Sequence, residues 1–199
     1  MTGFGKKAAI AAVVVSAVVA AVGYANRDRL VYMLHSSAMG GHMHGADGMG
    51  HDEVNMPGLR GANATDQESA ELAVMFNNFK TLSREVENLP DGIRTVTRSS
   101  DPDVMAALVS HVSGMIGRVE NLDDPQIFIQ SPTLDIFFQR GDKIETTIDV
   151  TDEGVVVVQT SADPEVVTAL QVHAGEVSAM AERGMEAVHE MMMARGGNN

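Results

Sequence analysis

The sequence predicts an α+β protein. An internally duplicated α-β-β-α module forms a four-stranded antiparallel sheet covered by helices, preceded by a single N-terminal membrane span. Three observations carry this. Residues 8–25 form an 18-residue run without a charge, long enough to cross a bilayer as a helix. Residues 92–112 match residues 154–174 at nine of 21 positions, at a constant offset of 62. Residues 144–150 and 154–159 are rich in β-branched side chains and flank Thr-Asp-Glu-Gly, the signature of two strands joined by a tight turn.

The chain has 199 residues, a net charge of −13 and no cysteine. Its length allows one medium domain with appendages. The acidic balance opposes nonspecific nucleic-acid binding, which needs a basic surface to neutralise phosphates. Without cysteine there are no disulfides, iron-sulfur clusters or thiolate zinc sites, so a metal would have to be held by His, Met, Asp or Glu.

Taken in order, residues 1–35 read as the membrane anchor. Lys6 and Lys7 precede the apolar run, and Arg27 and Arg29 follow it, so the positive charges that set orientation are balanced. The export-like layout puts the C-terminal bulk in the periplasm, tethered to the inner membrane. Gly23 and Ala25 offer a cleavage signal, so release after Ala25 is the alternative. Residues 36–64 are rich in glycine and small polar residues without an apolar period and read as a flexible linker.

The folded domain is expected at 65–199. Leu72, Met75, Phe76, Phe79 and Leu82 recur at helical spacing, predicting an amphipathic helix over 66–82 or beyond. Repeat 1 covers about 68–121 and repeat 2 about 130–196, the second with a short helix at 134–138. In repeat 1 the segment 81–88 reads either as a strand or as a continuation of the first helix. Asp-Pro closes each strand pair: Asp101 and Asp163 suit a helix N-cap, and Pro102 and Pro164 suit the first helical position, where no donor is needed.

The repeated DP-x-V-x-x-A-L-x-x-H pattern, with Thr160-Ser161 before its second copy, resembles a group of small bacterial proteins that carry the same duplicated motif. The likeness spans about residues 70–190. It implies the fold and brings no established activity or ligand set.

The strongest chemical signal precedes the domain. Residues 33–56 hold five methionines and four histidines, His42-Met43-His44 among them. Thioether sulfur suits Cu(I) and imidazole accepts either oxidation state, so Met39, His42, Met43, His44, Met49, His51 and Met56 read as a copper-catching set. The opposing reading is a compositionally biased spacer. His111 and His173 occupy equivalent places in the two copies, each with a methionine on its own helical face, Met115 and Met180. They suggest a second copper site, or a haem held by both histidines; inheritance of a structural histidine by duplication explains them equally. Met185, His189, Met192 and Met193 form a further stripe, directed away from His173, which packing alone would also produce.

No catalytic constellation emerges. Ser99, Asp101 and His111 are the three residue types of a hydrolase triad, but Asp101 is needed as a cap and no nucleophile-elbow sequence surrounds Ser99. The expectation is a protein that binds and passes copper, to its own domain or to a membrane-protein or metallochaperone partner. The rivals are a bis-histidine haem protein and a non-catalytic accessory subunit of a membrane complex.

Overall fold

The computed structural model describes residues 56–196. The apolar run at 8–25 and the Met/His residues from Met33 to His51 lie outside the described residues. Among the described residues no helix is long and apolar enough to cross a membrane.

The described residues form five α-helices and a four-stranded antiparallel sheet, α+β in class. Helix α1 (Asp66–Asn77) opens on a capping box: the Thr65 hydroxyl accepts the Glu68 N–H at 3.2 Å, and the Glu68 carboxylate accepts the Thr65 N–H at 2.7 Å. It stops earlier than the expected 66–82. The Asn78 side chain turns back to donate to the Val74 carbonyl at 2.8 Å, and a 3-10 turn (Phe79–Thr81) leads into strand β1 (Leu82–Leu89). Segment 81–88 is therefore strand for almost its whole length. Its apolar alternation is hidden because β1 is an edge strand whose outward positions Ser83, Glu85 and Glu87 are exposed.

Strand β2 (Gly92–Ser99) pairs with β1 across the two-residue turn Pro90-Asp91, and helix α2 (Pro102–Glu120) follows. The pattern recurs after the short helix α3 (Asp135–Arg140), with β3 (Glu145–Thr151), β4 (Gly154–Thr160) and α4 (Pro164–Arg183). Both Asp-Pro caps form. Asp101 accepts the N–H groups of Asp103 at 2.8 Å and Val104 at 3.2 Å, and Asp163 accepts that of Glu165 at 3.0 Å. Ser99 and Ser161 each accept the N–H of the capping aspartate at 3.1 Å, so Ser99 serves the turn and no triad assembles. Gly154 adopts φ +128°, which a side chain would strain. Gly184, at φ +60°, separates α4 from α5 (Met185–Gly196) and lies where a Cβ would strike the Phe79 ring.

The strand order is β1-β2-β4-β3, with β2 and β4 antiparallel at the centre. Their register sets Thr95 opposite Val157, two residues separated by the same 62 positions as the sequence match. Both long helices cover one face of the sheet. Val104, Leu108 and Val109 of α2 pack with Val155 and Val157 of β4, whereas Val166, Leu170 and Ala174 of α4 pack with Ile93 of β2. Each helix thus seats on a strand of the other hairpin, which interlocks the two hairpins through two core clusters. Leu170 and Val166 are 0% exposed and Val104 2%; each such burial contributes about 1.5–3 kcal/mol. The opposite face carries exposed Glu85, Glu87, Arg98, Glu145, Thr147 and Asp149.

Residues 56–64 of the expected linker fall among the described residues. Residues Pro57–Leu59 form a 3-10 turn with Leu59 2% exposed, and Gly61 bridges Ile127 in antiparallel fashion. A single buried leucine and one bridge leave no periodicity for a sequence reading to detect.

Candidate functional site

Between the helix layer and the sheet lies a cavity of about 310 Å³. Its floor is Ile93, Thr95, Thr97, Val155 and Val157, and its walls include Leu72 and Met75 of α1, Phe137 of α3 and Met191 of α5. Helix α2 contributes His111 and Met115, and helix α4 contributes His173 and Met180. The four second-site candidates of the two long helices therefore share one cavity.

The two histidines stand in different surroundings. His173 Nδ1 lies 3.2 Å from Glu176 Oε2, one turn along α4, and its ring meets Phe137 edge-on at 5.5 Å. With Glu176 accepting from Nδ1–H, the Nε2 lone pair is left as the donor for a ligand, the orientation that a carboxylate imposes on metal-binding histidines. Glu176 is itself fixed, its Oε1 accepting from Ser131 Oγ at 2.7 Å and Thr133 Oγ1 at 3.1 Å. Burial pushes the Glu176 carboxyl up, but the hydrogen bonds from His173, Ser131 and Thr133 outweigh it and hold the group below its ordinary range.

His111 has no such partner. Its Nδ1 is sealed from solvent without a hydrogen bond among the described residues. Burial pushes its imidazole down to about 4, with Glu68 opposing the shift and His173 adding to it. His111 is consequently neutral near pH 7 and keeps its lone pair for a ligand.

Arg84 of β1 also reaches the cavity, from the sheet side. Its Nη1 donates to Thr97 Oγ1 at 2.5 Å, while Nε is buried without a partner among the described residues, and burial pushes the guanidinium down to about 10.

The other candidates do not converge here. Met56 is the first described residue, half-buried at φ 38°. On α5 the buried positions are Ala187 and Val188, and Met191 faces the cavity; His189, Met192 and Met193 are exposed and Met185 is half-buried, so the stripe stays outside. A second hollow of about 450 Å³, around Ala62, Asp124, Phe128 and Asp135, is open to the surface and holds none of the candidate ligands. Among the described residues no three His, Cys, Asp or Glu side chains are grouped to hold a metal ion.

Sequence reasoning missed Glu176, Arg84 and the Ser131/Thr133 pair. His173 and Glu176 at i and i+3 were a usable signal, since such residues are neighbours on a helix. Strand alternation turns Arg84 inward with Leu82, a signal masked because 81–88 also fits a helix. Comparison of the chain with protein-family models, curated proteins and solved structures gave no match.

Proposed function

We propose that this is a copper-binding protein tethered to the inner membrane, with its folded domain in the periplasm. The Met/His segment captures Cu(I), and the cavity, or a membrane-protein or metallochaperone partner, receives it. The observation that carries the reading is that His111, Met115, His173 and Met180 line one cavity. Two imidazoles and two thioethers suit Cu(I). Zinc or nickel would ask for a third nitrogen or oxygen ligand, and no such trio is grouped among the described residues.

The domain itself is read as a duplicated module. The offset of 62 relates Met75 to Phe137, Val104 to Val166, Leu108 to Leu170 and Ile93 to Val155, and these residues occupy matching places in the two core clusters. Under this reading His111 and His173 enter the cavity as symmetry equivalents. The tether remains attached through the apolar run at 8–25; processing after Ala25 would release the same binding unit into the periplasm.

The test is a Cu(I) competition titration of the full-length chain against a chromophoric chelator. Replacing Met39, Met43, Met49 and Met56 with leucine should slow capture and remove the weaker class of bound copper, leaving the circular dichroism spectrum unchanged. Identical uptake by this variant and the wild type would refute the tether's role.

A second reading is favoured by one observation: a 310 Å³ apolar space is far larger than a single ion requires. A haem with His111 and His173 as axial ligands would fill that space and require the cavity to widen around it. Titration with haemin should then yield a Soret band typical of bis-histidine ligation, lost in His111→Ala. Absence of a band in the wild type would eliminate haem.

A further inference from the structure

We propose that the cavity receives an apolar molecule ending in a carboxylate, whose oxygens pair with the Arg84 guanidinium. This goes beyond the copper reading and does not depend on it.

Arg84 is placed by the sheet. It lies opposite Thr97 in the β1–β2 register, on the same face as Ile93, Thr95 and the cavity floor. Arg98, Arg118, Arg140 and Arg183 each pair with a Glu or Asp, whereas Arg84 makes no salt bridge among the described residues and has one side-chain hydrogen bond, to Thr97. Its Nε is buried and unpartnered among the described residues. A cation withdrawn from water without a counter-charge is costly, and a guanidinium offers a planar fork of donors that fits a carboxylate. Charge and shape at this end of the cavity therefore ask for a carboxylate. The remaining lining is largely apolar, Met75, Leu108, Val155 and Val157 included, and the volume of about 310 Å³ lies at the lower end of small-molecule sites. A fatty acid meets both demands; a haem offers the carboxylates in its propionates but exceeds this volume, and is the other source the test separates.

Dodecanoate labelled with ¹³C at the carboxyl carbon, added to the full-length, chelator-treated chain in lipid nanodiscs, separates protein-bound ligand from the lipid pool by chemical shift. The wild type should show a bound resonance whose carboxylate resists protonation on acidification. Arg84→Met should lose that resonance or weaken binding at least tenfold, Arg84→Lys should retain part of it, and dodecanol should not distinguish wild type from Arg84→Met. A haemin titration identifies the source: a Soret band sensitive to both Arg84→Met and His111→Ala assigns the carboxylate to a tetrapyrrole, whereas dodecanoate binding indifferent to His111→Ala assigns it to a free fatty acid. Unliganded Arg84→Met should also melt at a higher temperature than the wild type, because it removes an uncompensated charge. Equal affinity of both ligands for wild type and Arg84→Met, binding of neither ligand, or destabilisation by Arg84→Met with Arg84→Lys binding no ligand would overturn the proposal.

Discussion

Replacing Arg118 with methionine is expected to destabilise the domain by about 2–3 kcal/mol, between the values for exposed and fully buried ion pairs, because Arg118 and Glu68 are partly rather than fully buried. Arg118 joins three segments. Its Nε and Nη2 bind both oxygens of Glu68 at 2.5 and 2.8 Å, Nη1 reaches Asp123 Oδ2 at 2.8 Å, and Nη2 also donates to the Asn63 carbonyl at 2.9 Å. The side chains of Arg118 and Glu68 are only 12% and 14% exposed. Without the guanidinium, Glu68 keeps its capping role but loses its counter-charge, and the segment before α1 loses its tie to α2. For a domain of this size the midpoint of thermal unfolding should fall by roughly 10 °C. Urea unfolding followed by circular dichroism measures the same loss, and a change below about 1 kcal/mol would place the pair among weak surface contacts.

The same pair predicts a pH dependence. Burial pushes the Glu68 carboxyl up, but hydrogen bonds from Arg118 and Thr65 more than offset it, and its folded pKa lies below the ordinary 4.5. A depressed carboxylate contributes stability that is fully present above pH 4.5 and is lost as pH falls through the folded value. The gap between wild type and Arg118→Met should therefore be constant at neutral pH and narrow in acid. A gap that widened below pH 4.5 would contradict the assignment.

What the sequence disclosed follows from how locally each feature is encoded. The Asp-Pro caps and the β3–β4 turn use neighbouring residues, so pattern and geometry coincide. The fate of residues 81–88 depends on long-range pairing. Arg84, Glu85 and Glu87 suit an exposed helix as well as a strand, and only the pairing of β1 along β2 decides. The order at 57–61 was hidden for a related reason, since Leu59 and the Gly61–Ile127 bridge act through contacts with a segment over 60 residues away. In the cavity, the histidines and methionines stood out because repetition marked them. The groups that orient or complement them did not, because Glu176 falls opposite Gly114 and Arg84 opposite Thr146 at the offset of 62.

That asymmetry yields the prediction with the largest effect on binding. The two histidines match in sequence but differ in support: Glu176 orients His173, whereas the corresponding place beyond His111 is Gly114. A ligand held by both should depend more steeply on His173. Its ring is already braced through Nδ1 by Glu176, whereas His111 has no such partner among the described residues. With Met39, His42, Met43, His44, Met49, His51 and Met56 all replaced to isolate the cavity, His173→Ala should weaken Cu(I) binding by more than about 100-fold, above the usual range for loss of an orienting partner. Glu176→Gln should fall within that range, about 10- to 100-fold, because the amide can still accept from Ser131 and Thr133 but no longer stabilises positive charge on the ligating ring. His111→Ala should cost less than His173→Ala. Competition titrations on the three variants, with circular dichroism to verify folding, give the order directly. Equal losses for both histidines together with an unaffected Glu176→Gln would mean that Glu176 only braces the turn at Ser131, and that the metal, if held, is held without it.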